Sequence, residues 1–204
     1  MLTVHFYYSI GSRYSYLAST QIAALTRDVE CSVEWHPLNS VALIARRDRD
    51  PFEGAPVSGQ YDWTYRERDA ARWAALYDVP FLEPRNRIEF DPGLVALAAV
   101  AGKRLGQVES YSRALFAAVF AEPSVARVDR AECIRRAQAC SIPPSRFAAE
   151  LDDPATALEL SSTIDAAYRV GAFGVPTFVV GNEMFWGNDR LVLLRHYLAG
   201  AKAR

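Results

Sequence analysis

The stretch VPTFVVGNEMFWGNDRL, residues 175–191, follows a long helical region and breaks its period. Residues 175–180 are apolar, β-branched and opened by a proline, which predicts a short buried strand. Gly181-Asn182 is a tight-turn dipeptide, and residues 183–186 supply its hairpin partner. Asn188 then opens a last helix carried by Leu191, Leu194 and Leu198. The chain therefore closes on a strand–strand–helix unit.

The opposite end complements it. Residues 2–8 are apolar, aromatic and β-branched, and predict a buried strand. Glycine interrupts the pattern at 9–12. From Arg13, Tyr16, Leu17, Ile22 and Leu25 mark one helical face. Residues 31–38 (CSVEWHPL) predict a second strand limited by Pro37. A strand, helix and strand in so short a span favour parallel pairing. Residues 39–65 read as a long irregular stretch, with prolines at 51 and 56 and the charge run Arg46-Arg47-Asp48-Arg49-Asp50. Helices are predicted over 66–77, 92–101 and 110–120. Asp129-x-x-Glu132 reads as a capping box, and Asp153-Pro154 as an N-cap with proline at N1 of a helix reaching about 169. The order βαβ, helical block, ββα predicts an α/β protein with a thioredoxin-like, DsbA-like fold interrupted by a helical insertion. In these terms residues 1–64 and 171–204 form the thioredoxin-like domain, and residues 65–170 an inserted all-helical domain.

Composition sets the outer limits. Of 204 residues, 50% are hydrophobic and 12% aromatic, which is enough for a packed core and excludes general disorder. Lys+Arg number 23 against 24 Asp+Glu, so no bulk charge recruits nucleic acid or an anionic membrane. The N-terminus has no basic region followed by a cleavable apolar core, and no apolar run is long enough for a bilayer, so a cytoplasmic location is expected. Cys31, Cys133 and Cys140 are too sparse for a disulfide framework. Cys133 and Cys140 would share a helical face. No Cys/His cluster has zinc-ligand spacing, and no metal site is expected.

Three segments could carry chemistry, each with two readings open. In Ser12-Arg13-Tyr14-Ser15, serines stand at both positions of a C-x-x-C, at a strand–helix junction. Ser12 either caps the helix or offers its hydroxyl to a thiolate that the helix start also favours. In Gly174-Val175-Pro176-Thr177-Phe178, the proline marks either a structural turn or a cis bond that frees the Val175 main chain to pair with an extended peptide. In Trp186-Gly187-Asn188-Asp189, the polar pair either caps the last helix or binds an α-amino-acid head, its N–H groups taking the carboxylate and Asp189 the amine. Trp186 is either core or ligand contact. Arg46, Arg47 and Arg49 could hold an anionic substrate or form a solvated loop, and Arg13 and Arg87 are weaker forms of the same idea. His5, His36 and His196 have no Ser or Cys partner nearby in sequence, and no GxSxG elbow supports a hydrolase triad.

Taken together, the segments resemble one family. FYYSIGSRYSYLA at 6–18 is similar to the opening of 2-hydroxychromene-2-carboxylate isomerases and kappa-class glutathione transferases. GVPTF at 174–178 followed by MFWGNDRL at 184–191 resembles that family's C-terminal signature, and RDAARWAALYDVPFLEP at 68–84 its first inserted helix. The resemblance implies a homodimer that uses glutathione. Ser12 would be the catalytic serine that hydrogen-bonds the glutathione sulfur. Val175, before cis-Pro176, would pair with the cysteinyl unit. Trp186, Gly187, Asn188 and Asp189 would hold the γ-glutamyl head. The sequence departs from the family on the other half of the site. Arg13 stands where the family has proline, Ser9 where it has aspartate, and residues 39–65 contain no lysine. The tyrosine expected after the inserted helix is replaced near Arg87. Arg13, Arg46 and Arg87 are the substrate-side candidates.

The reading is thus a glutathione-dependent isomerase or transferase acting on an aromatic or otherwise hydrophobic small-molecule electrophile. The alternative is a non-catalytic thioredoxin-fold binding module. A disulfide oxidoreductase is disfavoured by the missing C-x-x-C.

Overall fold

The computed structural model describes residues 1–47 and 62–201. Strand β1 (Leu2–Tyr8) leads through helix α1 (Arg13–Asp28) to β2 (Cys31–Pro37). Helix α2 (Ser40–Ile44) follows. Then come α3 (Trp63–Tyr77), β3 (Glu89–Phe90), α4 (Pro92–Arg104), α5 (Val108–Phe120), β4 (Arg127–Val128), α6 (Arg130–Ala139), α7 (Pro144–Asp152) and α8 (Pro154–Arg169). The chain returns through β5 (Thr177–Val180), β6 (Glu183–Trp186), a 3-10 turn at Asn188–Arg190 and α9 (Leu191–Ala201). No helix among the described residues is long and apolar enough to cross a membrane.

The main sheet has the order β2-β1-β5-β6. β1 and β2 run parallel, with Phe6 opposite Trp35, as the short βαβ connection predicts. β5 is antiparallel to β1 and β6 to β5. Phe6, Tyr8, Trp35 and Phe178 fill one face. Phe6 stacks on Phe178 at 4.9 Å and meets Trp35 edge-on at 5.1 Å between centroids. Such a pair adds about 0.5–1.5 kcal/mol beyond its area term. The same apolar cluster runs on into Tyr111, Phe116, Phe120 and Phe147 of the helical block. Tyr8 and Ser112 share a buried 2.5 Å hydrogen bond across that seam. The other face packs Tyr7 and Val179 against Leu43 of α2 and Ile164 and Ala167 of α8.

Local capping explains most boundaries. Asp62 accepts from the N–H groups of Thr64 and Tyr65, so α3 starts three residues before the apolar pattern suggests. Asn39 caps the unforeseen α2 in the same way. The helix α7 was also unforeseen, and it begins behind the Pro143-Pro144 pair. The helical block is not wholly helical. β3 and β4 form a two-residue parallel pair, Glu89 opposite Arg127 and Phe90 opposite Val128, which sequence pattern cannot mark at that length. The capping box at α6 is half realised. Asp129 accepts from the Glu132 N–H, but the Glu132 carboxylate turns to Arg136 at 2.7 Å instead of back to the cap. A charge-assisted bond is about twice as strong as a neutral one, which decides the competition. Cys31, Cys133 and Cys140 form no disulfide, and burial pushes the Cys133 thiol up to about 11.

Candidate functional site

β1 ends beside the start of β5, because their antiparallel register sets Tyr7 opposite Thr177. The chain leaving β1 passes through Ser9 and Gly11 to Ser12, and the chain entering β5 comes through Val175 and Pro176. Ser12 has the extended backbone of an N-cap (φ −94°, ψ 117°), and its oxygen accepts from the Ser15 N–H at 3.2 Å. Ser12 is therefore the cap. Using the oxygen as acceptor leaves the O–H to donate elsewhere, so capping does not preclude a second role. No histidine is hydrogen-bonded to Ser12 among the described residues.

The Val175–Pro176 peptide is cis. The β5 ladder begins only at Thr177, whose hydroxyl donates to the Gly174 carbonyl at 2.8 Å. The main-chain N–H and C=O of Val175 make no hydrogen bond to a described residue. Pro176 ties the third segment into place, since its carbonyl accepts from the Gly187 N–H at 2.9 Å.

Gly187 has φ +113°, which L side chains rarely adopt. A Cβ there would meet the Asp189 Oδ1 at 2.3 Å. Glycine thus lets the Asp189 carboxylate fold back over the turn, where it faces Arg190 at 3.3 Å. Asn188 is buried, and its Nδ2 has no hydrogen-bond acceptor among the described residues. Its carbonyl accepts from the Tyr77 hydroxyl at 3.5 Å. Trp186 is half-buried and packs on Phe173, with ring centroids 4.8 Å apart.

Arg13, next to Ser12, is nearly buried at the start of α1. It donates from Nη2 to Glu83 Oε1 at 2.9 Å and lies over the Trp63 ring at 5.0 Å. Its Nη1 has no acceptor among the described residues. Burial is the main force lowering its pKa, with Glu83 opposing that trend. Arg66 and Arg85 reach the same indole at 5.3 and 5.2 Å. Tyr14, one residue on, donates to Asp69 at 2.8 Å, and burial together with that carboxylate raises its pKa. Trp63, Arg66, Glu83 and Arg85 were not singled out in the sequence. Their only sequence signal was Asp62 as a helix cap, which would have brought Trp63 onto α3.

The other cations lie elsewhere. Arg87 donates to four main-chain carbonyls, those of Glu83, Val119, Glu122 and Val125, and so binds the helical block together. Arg46 pairs with Asp165 of α8 at 2.9 Å. Arg47 donates to the carbonyls of Gly171 and Ala172. Arg49 lies outside the described residues.

A parallel βαβ unit, a helical block, a ββα unit and a cis-proline at the entry to β5 together define a thioredoxin-type protein. The chain belongs to the DSBA-like thioredoxin domain family, which matches residues 3–199. Among curated proteins it is 29% identical to a 2-hydroxychromene-2-carboxylate isomerase of Sphingobium xenophagum, covering 96% of this chain and 97% of that one. It is 27% identical to a protein of the same name from Pseudomonas sp. (strain C18), covering 98% and 92%. Among solved structures, a 2-hydroxychromene-2-carboxylate isomerase superposes with a TM-score of 0.83 at 23% identity, over 98% of this chain and 95% of that one. A probable DsbA oxidoreductase from Streptomyces coelicolor superposes with 0.78 at 18% identity, over 100% and 91%. These two likenesses establish the fold.

Proposed function

We propose that this protein is a glutathione-dependent isomerase, or a kindred glutathione transferase, acting on an aromatic electrophile. Its curated relatives named for 2-hydroxychromene-2-carboxylate isomerisation support the isomerase half of that reading. The observation that carries the glutathione half is the open Val175 main chain at the cis-proline, beside the strand that leads to the Ser12 cap. An extended tripeptide can pair with that N–H and C=O. Asn188, with its buried Nδ2 and helix-start position, and Asp189 suit the two ends of an α-amino-acid head. Bound there, glutathione would supply a nucleophilic thiolate for reversible addition to the substrate.

The role of Ser12 is to donate to that sulfur while the α1 start adds a partial positive charge. Both favour the thiolate over the thiol and raise its fraction near neutral pH. Among the described residues no base is hydrogen-bonded to Ser12 to activate it as a nucleophile, and Ser12 and Ser15 cannot exchange disulfides. The aromatic acid would meet Trp63, Arg66 and Arg85, where an exposed indole and two guanidiniums suit a planar anion. Arg13 joins this corner to Ser12. A cytoplasmic homodimer belongs to the same reading.

Calorimetric titration with glutathione, followed by an isomerisation assay on 2-hydroxychromene-2-carboxylate, tests it. Saturable binding with turnover is the expected result. Binding without turnover on that acid or on aryl halide electrophiles assigns the chain to the non-catalytic module. No binding sinks the site as drawn.

A further inference from the structure

His5 on β1 and Glu34 and His36 on β2 converge on one face of the sheet. His5 Nδ1 lies 3.0 Å from His36 Nε2. The Glu34 carboxylate oxygen Oε2 is 3.2 Å from the first nitrogen and 3.6 Å from the second. The parallel register produces this. His5 pairs with Glu34 and Tyr7 with His36, and the period of two sends Glu34 and His36 to the same side.

A tetrahedral ion bound at about 2.0–2.1 Å holds its donor atoms roughly 3.3 Å apart. The three separations found here bracket that value, before any ion has drawn them together. We propose that His5, Glu34 and His36 form a binding site for one divalent transition-metal ion of the zinc class, joining β1 to β2. Two imidazoles and a carboxylate favour zinc, nickel or copper over magnesium or calcium, which take oxygen ligands.

The surroundings fit. The side chains of His5 and Glu34 are 38% and 58% exposed, which leaves an entry path and a fourth position for water. His36 is more enclosed and stacks on Tyr7 with centroids 4.8 Å apart, which fixes its ring. Lys103 is the cation felt by His36, and its ammonium is held by Glu159 at 2.9 Å. Metal uptake needs both facing nitrogens bare, so the ring that carries the N–H between them shifts its proton to its other nitrogen and both imidazoles bind neutral. The site lies on the sheet face opposite the Phe6–Trp35 aromatic cluster, and the glutathione reading does not depend on it.

The test uses tag-free protein stripped with a chelator and titrated with zinc chloride by calorimetry, with cobalt(II) as a spectroscopic substitute. The expected result is one zinc per chain, a visible cobalt band of low-symmetry coordination, and a raised Tm with zinc. H5Q and E34Q, at exposed positions that keep the fold, should each weaken binding by at least about tenfold and erase the cobalt band. H36A should do the same, with near-native circular dichroism as its control. Absence of zinc binding to the wild type at micromolar concentrations overturns the proposal. Zinc uptake unchanged in H5Q and E34Q assigns the ion to the thiols or elsewhere and also overturns it.

Discussion

The two halves of the candidate site are built from different materials. Around Ser12, Val175 and Gly187 the working groups are main-chain N–H and C=O, one hydroxyl and one carboxylate, placed by a helix cap, a cis-proline and a positive-φ glycine. Around Trp63 they are long guanidiniums and an indole from three separate segments. The cis-proline and the positive-φ glycine tolerate little substitution, because each supplies a backbone conformation that other residues rarely adopt. A corner of long side chains can be rebuilt with other residues. Of the departures from the resembled pattern, Arg13 reaches the Trp63 corner, whereas Ser9 lies on the turn that leads to Ser12.

The sharpest way to break the comparison is Ser12→Ala. If the hydroxyl stabilises a developing thiolate, kcat should fall by about 10²–10³, the usual loss for one preorganised donor. Glutathione affinity should stay within a few-fold. An ultraviolet thiolate titration of the complex should show the bound thiol pKa rising, and equal values in both proteins would remove Ser12 from the chemistry.

Asp189→Ala comes next. Loss of a charge-assisted hydrogen bond to the amine should weaken glutathione about ten- to a hundredfold by calorimetry. An unchanged affinity would place the γ-glutamyl head elsewhere. Trp63→Ala and Arg85→Ala should act on the other half alone. Loss of a cation–π or stacking contact of about 1 kcal/mol predicts a roughly fivefold rise in KM for the aromatic acid. Glutathione binding and the thiolate titration should not move, and a matching loss in glutathione affinity would merge the two halves into one.

The smallest effect concerns stability outside the site. Burial, then Lys103 and His5, push His36 down to about 4 from an ordinary value near 6.5. The unfolded chain therefore binds this proton more readily than the folded one. The stabilisation is fully present above about pH 6.5 and is lost as pH falls toward 4. With chelator present, the acid side of the stability profile should flatten in His36→Gln relative to wild type. Identical profiles would mean that His36 titrates normally.

The sequence was most informative where the determining interaction is local. Ser12, Asp129 and Asp153 could be read as caps because the bond spans two or three residues. Pro176 at a strand start, and Gly187 before a helix, carry their backbone demands within a few positions. The parallel β1–β2 pairing followed from the short connection. Arg87 shows the limit. Its charge suggested an anion site, yet its donors bind carbonyls as far away as Val125, and no nearby residue announces that.

The sequence by itself therefore determined the βαβ…ββα order and the helix starts at Arg13, Pro92, Arg130 and Pro154, since each rests on propensity, periodicity and capping over a few residues. Only the tertiary structure decided that Arg13 meets Glu83 and Trp63, that Tyr8 reaches Ser112, and that His5 meets Glu34 and His36. Those partners are 29 to 104 residues apart. Their meeting depends on strand register and on which faces pack, and neither is written in the residues that touch.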